Sequence, residues 1–420
     1  MACVGLLIGG LLQVSGHAAA GLDQLPPGAA AIEAPPDPSC GTEQGTLREA
    51  GCQRNVLVGT MDTERIPIPE LGAIVIREFS SITPGNDMKW PNLQGTQGQF
   101  TFDKADELMD FADAHGMKLK GHTLVWDQEV GNGLPDWVRQ ITDPAELDAV
   151  LKDHIATVVG RYAGRITRWD VVNEPLVTYG VDRYQGHFAQ VLGPGYIARA
   201  FELAHAADPT AKLYLNEHSV EYFPGRADAL VELVTELVDQ GVPIDGVGLQ
   251  MHLWTGQAPA PGTITNLVGR LRHLGLDVVI SELDVPLPAG LDTDSELEAA
   301  KVEQGRVYGQ VVWECVTAGC TAITVGGIND PSGWLDGVLG RPGTRAALWD
   351  EEANPKPAYF AVLAALRGVH PTEPPTTTST PPPTAIDGPP PTTSTPQPTA
   401  IVGPPPNPAS PIPARPAFTG

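Results

Sequence analysis

Positive charge is scarce in this chain of 420 residues: 26 lysines and arginines face 50 aspartates and glutamates, for a formal net charge of -24. Such a field repels phosphate backbones and anionic headgroups, which excludes nucleic acid and anionic membrane as the main partner and favours a neutral or cationic ligand. An acidic surface also serves simply to keep an exported protein soluble. Cysteine is sparse too, with five residues, no C-x-x-C pair and no histidine cluster beside them, so no metal centre is expected. With Cys3 set aside, Cys40, Cys52, Cys315 and Cys320 form two local pairs, and bridges 40–52 and 315–320 fit an oxidising compartment.

A membrane span is also missing. The apolar stretch in MACVGLLIGGLLQVSGHAAAGLD covers about 11–14 residues where about 20 are needed. Its small residues ending at Ala20 read as a secretory signal over 1–20, although no Lys or Arg precedes the apolar core. An N-terminal extension, 21–50, follows. Beyond Gly368 the chain lacks the apolar content to fold, and the near-repeats STPPPTAIDGPPP and STPQPTAIVGPPP mark 369–420 as a disordered Pro/Thr-rich tail of polyproline character. No second module is expected beyond the tail. The expected setting is extracellular, as a monomer, with the tail solvated, O-glycosylated or tethered to a cell wall.

Between these ends, short β-branched runs alternate with amphipathic stretches, the pattern of βα units around a parallel sheet. Eight candidate strands begin near Val56, Phe79, Lys118, Arg165, Ala211, Gly246, Asp277 and Ala322. Eight such units predict a (β/α)8 TIM barrel over 51–368. Asp103 and Asp143-Pro144 stand where helices should start, and Gly116 and Gly164 where they should stop. Leu147, Val150, Leu151, Ile155 and Val158 make an apolar stripe that should face the barrel.

Polar residues that cannot help a core gather at the C-terminal ends of the strands, the rim that holds active sites in this architecture. Among them are two carboxylates, Glu174 in WDVVNEP and Glu282 in VISELDV. Either alone reads as part of a structural ion-pair network. A pair fits glycoside hydrolysis, in which one carboxyl protonates the leaving oxygen and the other attacks the anomeric carbon across about 5–5.5 Å.

The strings ITPGNDMKW, GHTLVW, RWDVVNEP, AADPTAKLYLNE, PIDGVGLQMHLW and ISELDV, in this order on six strand ends, resemble the family-10 glycoside hydrolases, the retaining endo-β-1,4-xylanases. The resemblance implies hydrolysis of internal β-1,4 bonds of xylan with net retention and no cofactor. It makes Glu174 the acid/base and Glu282 the nucleophile, gives Asn173 the sugar 2-hydroxyl, and sets His252 against the nucleophile with Asp284 orienting it. Asn86, Asp87, Lys89, His122 and Gln250 would meet sugar hydroxyls on the glycone side, and Trp126 and Trp334 would offer apolar faces. The disulfide 315–320 also recurs in that family, as does NPKPAY from Asn354, which would dock the last helix.

Departures from the family pattern bear on specificity. Asp87 replaces a usual Glu, Asp127 a usual His, and Asn216-Glu217-His218 the usual Asn-Asp-Tyr; DQEVGNG is inserted before Leu134. At the end of the eighth strand, in AITVGGIND, Gly326 stands where the family carries a tryptophan under the sugar beside the cleavage point. Losing an indole removes on the order of 150–250 Å² of contact surface. Two rival readings stay open: a retaining β-glycosidase with altered glycone specificity towards glucans or cellobiosides, and a non-catalytic carbohydrate-binding cell-surface protein on a decayed scaffold.

Overall fold

The computed structural model describes residues 40–41, 43–128, 133–253, 257–330, 335–337, 340 and 343–371. The signal, most of the extension, the tail beyond 371, Glu129–Asn132 of the insertion and Trp334 lie outside them. Eight parallel strands close into a barrel: β1 Leu57–Thr60, β2 Ser81–Ile82, β3 Lys118–Trp126, β4 Arg168–Asn173, β5 Lys212–Glu217, β6 Gly246–Leu249, β7 Asp277–Leu283 and β8 Ala322–Val325. Closure is made by β1 on β8, with Leu57 opposite Ala322 and Thr60 opposite Val325. A closed ring leaves no strand edge unpaired. The (β/α)8 architecture expected from the sequence is therefore the one observed.

Helices on the outside bury the apolar stripes. In α6 (Pro144–Arg161), Leu147, Leu151, Ile155 and Val158 are fully buried and Val150 partly so. Asp143 caps this helix, accepting from the Glu146 N–H at 2.9 Å, and Pro144 fills the first turn, where its missing N–H costs nothing. Gly116 and Gly164 take left-handed φ values of 61° and 75° just past α4 (Asp103–Ala114) and α6, as chain reversal there requires. The expected cap at Asp103 is corrected: Phe102 holds the N-cap without a side-chain bond, and Asp103 is the first helical residue. Its charge still faces the positive end of the helix dipole.

The second strand is also shorter than its apolar run suggests. Only Ser81–Ile82 pair in the sheet. Pro84 cannot donate to a ladder, so the chain leaves the sheet and becomes the loop that carries Asn86, Asp87 and Lys89. At the other end of the domain, Lys356 reaches Asp330 at 2.8 Å in a buried ion pair, and Pro357 starts the C-terminal helix Pro357–Leu366. Both expected disulfides form, Cys40–Cys52 and Cys315–Cys320, with Cα separations of 5.2 and 5.3 Å.

Asp127 directly follows β3 in a buried position and accepts from the Phe188 N–H at 2.8 Å, holding the first turn of the short helix His187–Leu192. Burial raises its carboxyl from 3.8 to about 6, against the backbone N–H groups and Arg139, which lower it. Between those two values the folded chain binds more protons than the unfolded one, so this contribution to stability is full below about pH 4 and lost as pH rises through 6. The Asp127→Asn variant keeps an acceptor for Phe188 but cannot ionise. Its stability should fall less than the parent's between pH 4.5 and 7.5, by on the order of 1–3 kcal/mol in denaturant titrations; equal pH dependence in the two proteins refutes this assignment.

Candidate active site

The site is assembled from the C-terminal ends of β2 to β8 and the loops that follow them. Glu282, on β7, is 8% exposed and accepts from the Asn216 amide at 2.7 Å, while its other oxygen faces His252 Nε2 at 3.3 Å. Burial opposes its charge, but the hydrogen bond from His252 and the nearby His122, His252 and Lys120 outweigh it and hold the carboxyl well below the usual range. His252 Nδ1 lies 2.9 Å from Asp284. Both ring nitrogens thus face carboxylates, and these two acids overcome the burial penalty and raise the imidazole's pKa well above its ordinary value. An imidazolium donating on both sides is the state that geometry favours.

Glu174 is set differently. It follows β4 with a left-handed φ of 54°, pinned by its N–H to the Asn216 carbonyl at 2.8 Å. One carboxylate oxygen accepts from the Trp126 indole at 3.0 Å, the other from the Gln250 amide at 2.9 Å. These donors are neutral.

Amide side chains link the two acids. Asn216 Nδ2 donates to Glu282 and, at 2.8 Å, to Asn173 Oδ1, which also accepts from Gln250 at 3.3 Å. Ser281 donates to Asn216 Oδ1 at 2.6 Å, fixing which way the amide faces. Room for it comes from Gly248 on β6, where any Cβ would stand 2.2 Å from that oxygen. Because Asn173 Oδ1 is occupied twice, its Nδ2 is the end left to donate elsewhere, with only a long 3.4 Å contact to Glu174.

On the opposite wall, Lys89 donates to Asn86 at 2.8 Å and stands 5.0 Å above the Trp126 ring. Burial lowers its pKa, while Glu282, Glu174 and Glu64 act to raise it, so its charge lies within reach of both acids. His122 Nδ1 and Lys120 meet the fully buried Asp170 at 2.9 and 2.7 Å. Asp87 is half-buried, and burial followed by Glu64 raises its pKa. Glu282 and Asp284, 8% and 2% exposed, thus share one pocket with Lys120 from β3 and His252 from the end of β6.

A model of glycosyl hydrolase family 10 matches residues 47–365. This chain belongs to that family. It is 38% identical over 322 residues to endo-1,4-beta-xylanase 2 of Aureobasidium pullulans, covering 74% of this chain and 86% of the relative. It is 36% identical to endo-1,4-beta-xylanase 1 of Gibberella zeae, over 69% of this chain and 81% of that one. Among solved structures, xylanase 10B of Thermotoga petrophila in complex with xylobiose superposes with a TM-score of 0.72 at 30% identity, over 78% of this chain and 98% of that one.

Within this family-10 member, several expected roles look different in three dimensions. Gln250 and Trp126, expected to meet the sugar, are both hydrogen-bonded to Glu174. Asn216 was expected on the rim, within LYLNE, but without a role of its own; its amide became significant only when the fold set it between Asn173 and Glu282. The buried Glu217–Arg226 pair, at 2.6 Å, is a second omission. Arg226 also donates to the Val177, Gly180 and His218 carbonyls, tying the loops after β4 and β5 together. Where the family carries tyrosine, His218 meets Tyr179 edge-on, with ring centroids 5.9 Å apart. Its pKa is pushed down to about 4, chiefly by burial, which keeps the ring neutral.

Gly326 is buried, and a Cβ there would lie 2.8 Å from Asp284 Oδ2 and 3.2 Å from the Glu282 carbonyl. The Asp284 carboxylate therefore occupies the space where an indole would begin. The Asn216→Ala variant should release both Glu282 and Asn173, cutting kcat by about two orders of magnitude with KM nearly unchanged; a kcat within about threefold of the parent would overturn the linking role.

Proposed function

We propose that this family-10 hydrolase cleaves internal β-1,4-xylosidic bonds of xylan outside the cell by a retaining double displacement, with Glu282 as nucleophile and Glu174 as acid/base. The observation that carries this reading is the unlike setting of two acids joined by one amide network. Glu282 is held ionised beside His252, while Glu174 accepts only from neutral side chains. An ionised carboxylate suits attack on the anomeric carbon; an acid without a cationic partner suits giving and retaking a proton.

In the first step a Glu282 oxygen bonds to the anomeric carbon as the glycosidic C–O bond breaks, and Glu174 delivers its proton to the departing oxygen. In the second, Glu174 takes a proton from water, whose oxygen displaces Glu282 from the same carbon. Two inversions return the original configuration. The atoms balance with two carboxyls and one water, so the reaction calls for no cofactor. Asn173 Nδ2 is the donor for the 2-hydroxyl, with Lys89, Asn86 and His122 on the glycone side and Asp284 keeping His252 oriented. The relatives named as endo-1,4-beta-xylanases, and the xylobiose complex of one neighbour, support xylan as substrate. The first sugar released should be the β-anomer by NMR during early turnover, and Glu282→Ala should lower turnover by at least about 10⁴-fold while sugar binding persists; initial α-anomer, or a parent that binds xylo-oligosaccharides without ever cleaving them, refutes the reading.

A second reading concerns the glycone. Xylose lacks the hydroxymethyl group of glucose at C5, and no side chain rises from Gly326 to exclude it. On this reading the enzyme accepts hexoses at a cost in xylan affinity. The kcat/KM ratio of aryl xylobioside to aryl cellobioside should then be at least about tenfold smaller than in a relative with tryptophan at this position; an equal ratio removes the idea.

A further inference from the structure

The backbone that carries the acid/base is held in a conformation it would not keep by itself. Glu174 takes a left-handed φ of 54°, a region that residues with side chains seldom adopt, and Pro175 after it has no N–H to continue the sheet. Such a conformation persists only where its surroundings fix it. Each backbone polar group from Glu174 to Leu176 has a partner. The Glu174 N–H donates to the Asn216 carbonyl, and the Pro175 carbonyl accepts from the Tyr184 N–H at 2.7 Å. The others are held by two side chains that take no part in bond making or proton transfer. Gln128 Nε2 donates to the carbonyls of Glu174 at 2.9 Å and Leu176 at 3.3 Å, and the Leu176 N–H donates to Glu217 Oε2 at 3.1 Å.

Both side chains are themselves buried and anchored. Gln128 is 5% exposed; both its partners are carbonyls, so its amide can face only one way, and its own carbonyl accepts from Arg139 at 3.1 Å. Glu217 is fully buried, and its other oxygen accepts from Arg226, on the helix Pro224–Asp239, at 2.6 Å and from the His218 N–H at 2.9 Å. A buried ion pair adds little net stability over apolar side chains of the same volume, so this pair is better accounted for by what it holds. Burial raises the Glu217 carboxyl to about 7; Arg226 lowers it, Glu174 raises it and the two backbone N–H groups lower it. The two acids are therefore within electrostatic reach of each other. Both Gln128, in DQEVGNG, and Glu217, in Asn-Glu-His, lie where the chain departs from the family pattern.

We infer that Glu217 and Gln128 are positioning residues for the acid/base: gripping the turn 174–176 from β5 and from the end of β3, they hold the Glu174 carboxyl at the glycosidic oxygen. The inference rests on the reading of Glu174 as acid/base. Rotation of the backbone at 174 would swing that carboxyl, since Trp126 and Gln250 each give it a single neutral hydrogen bond. Proton delivery requires hydrogen-bond reach, and a displacement of ~1 Å costs about 10²-fold in rate.

Leaving groups separate this role from a structural one. A dinitrophenolate departs without a proton, whereas a phenolate needs one from Glu174. In the full chain carrying Gln128→Met, which keeps volume and removes both amide bonds, kcat/KM on phenyl xylobioside should fall about 10–100-fold and that on dinitrophenyl xylobioside by less than about threefold. The ratio of dinitrophenyl to phenyl substrate should rise likewise in Glu217→Gln, whose amide can accept at one end only. This second variant also leaves Arg226 without its counter-charge, and where that prevents folding Gln128→Met decides alone. A ratio less than about threefold above the parent's in either folded variant overturns the inference, because a merely structural role lowers both substrates together. A parent that cleaves neither substrate instead overturns the hydrolase reading, and this inference with it.

Discussion

A buried carboxylate at the end of β7 is tolerable only because an imidazole lies 3.3 Å from one of its oxygens and an amide donates to the other. That requirement spreads outward. The imidazole must itself be held charged, so Asp284 stands behind it at 2.9 Å; the amide must be oriented, so Ser281 and Asn173 fix its two ends. These partners come from the ends of β4, β5, β6 and β7. The barrel supplies those positions because closure brings the C-terminal ends of all strands around one mouth. Electrostatic preorganisation of this kind acts without rearrangement at the moment of reaction.

The departures from the family pattern cluster around this arrangement rather than in it. Asp127 has become a helix cap, His218 forms an aromatic pair with Tyr179, and Gly326 leaves its space to the Asp284 carboxylate. None removes a donor or acceptor from the bridge between Glu174 and Glu282. In the structure the inner hydrogen bonds around the two acids are thereby separate from the walls that surround them. A carbohydrate-binding protein with no turnover has no need for two acids in such different settings.

Legibility followed the range of the interaction. Alternating apolar runs and cap residues made the barrel readable, since strand and helix periodicity are local properties. The errors were local too: Asp103 was displaced by one residue, and the second strand ended early at Pro84. Glu174, Glu282, His252 and Asp284 could be named from short strings in register. Asn216 could be placed at a strand end but given no role, because its weight comes from two partners 43 and 66 residues away in the chain. Arg226 was hidden for the same reason: in sequence it is one basic residue near a helix start, and only in space does it join three loop carbonyls to Glu217.

The sequence by itself determined the alternation of strands and helices, the pairing of cysteines, the placing of acids at strand ends and the membership of the family, all of which are carried by spacing and residue type. Tertiary structure alone decided which groups share a proton or a hydrogen bond. It turned Gln250 and Trp126 towards Glu174 and set Asp284 in the space beside Gly326. The physical reason is that charge and hydrogen bonding act over a few ångströms, and distances of that size between remote residues are fixed by barrel closure.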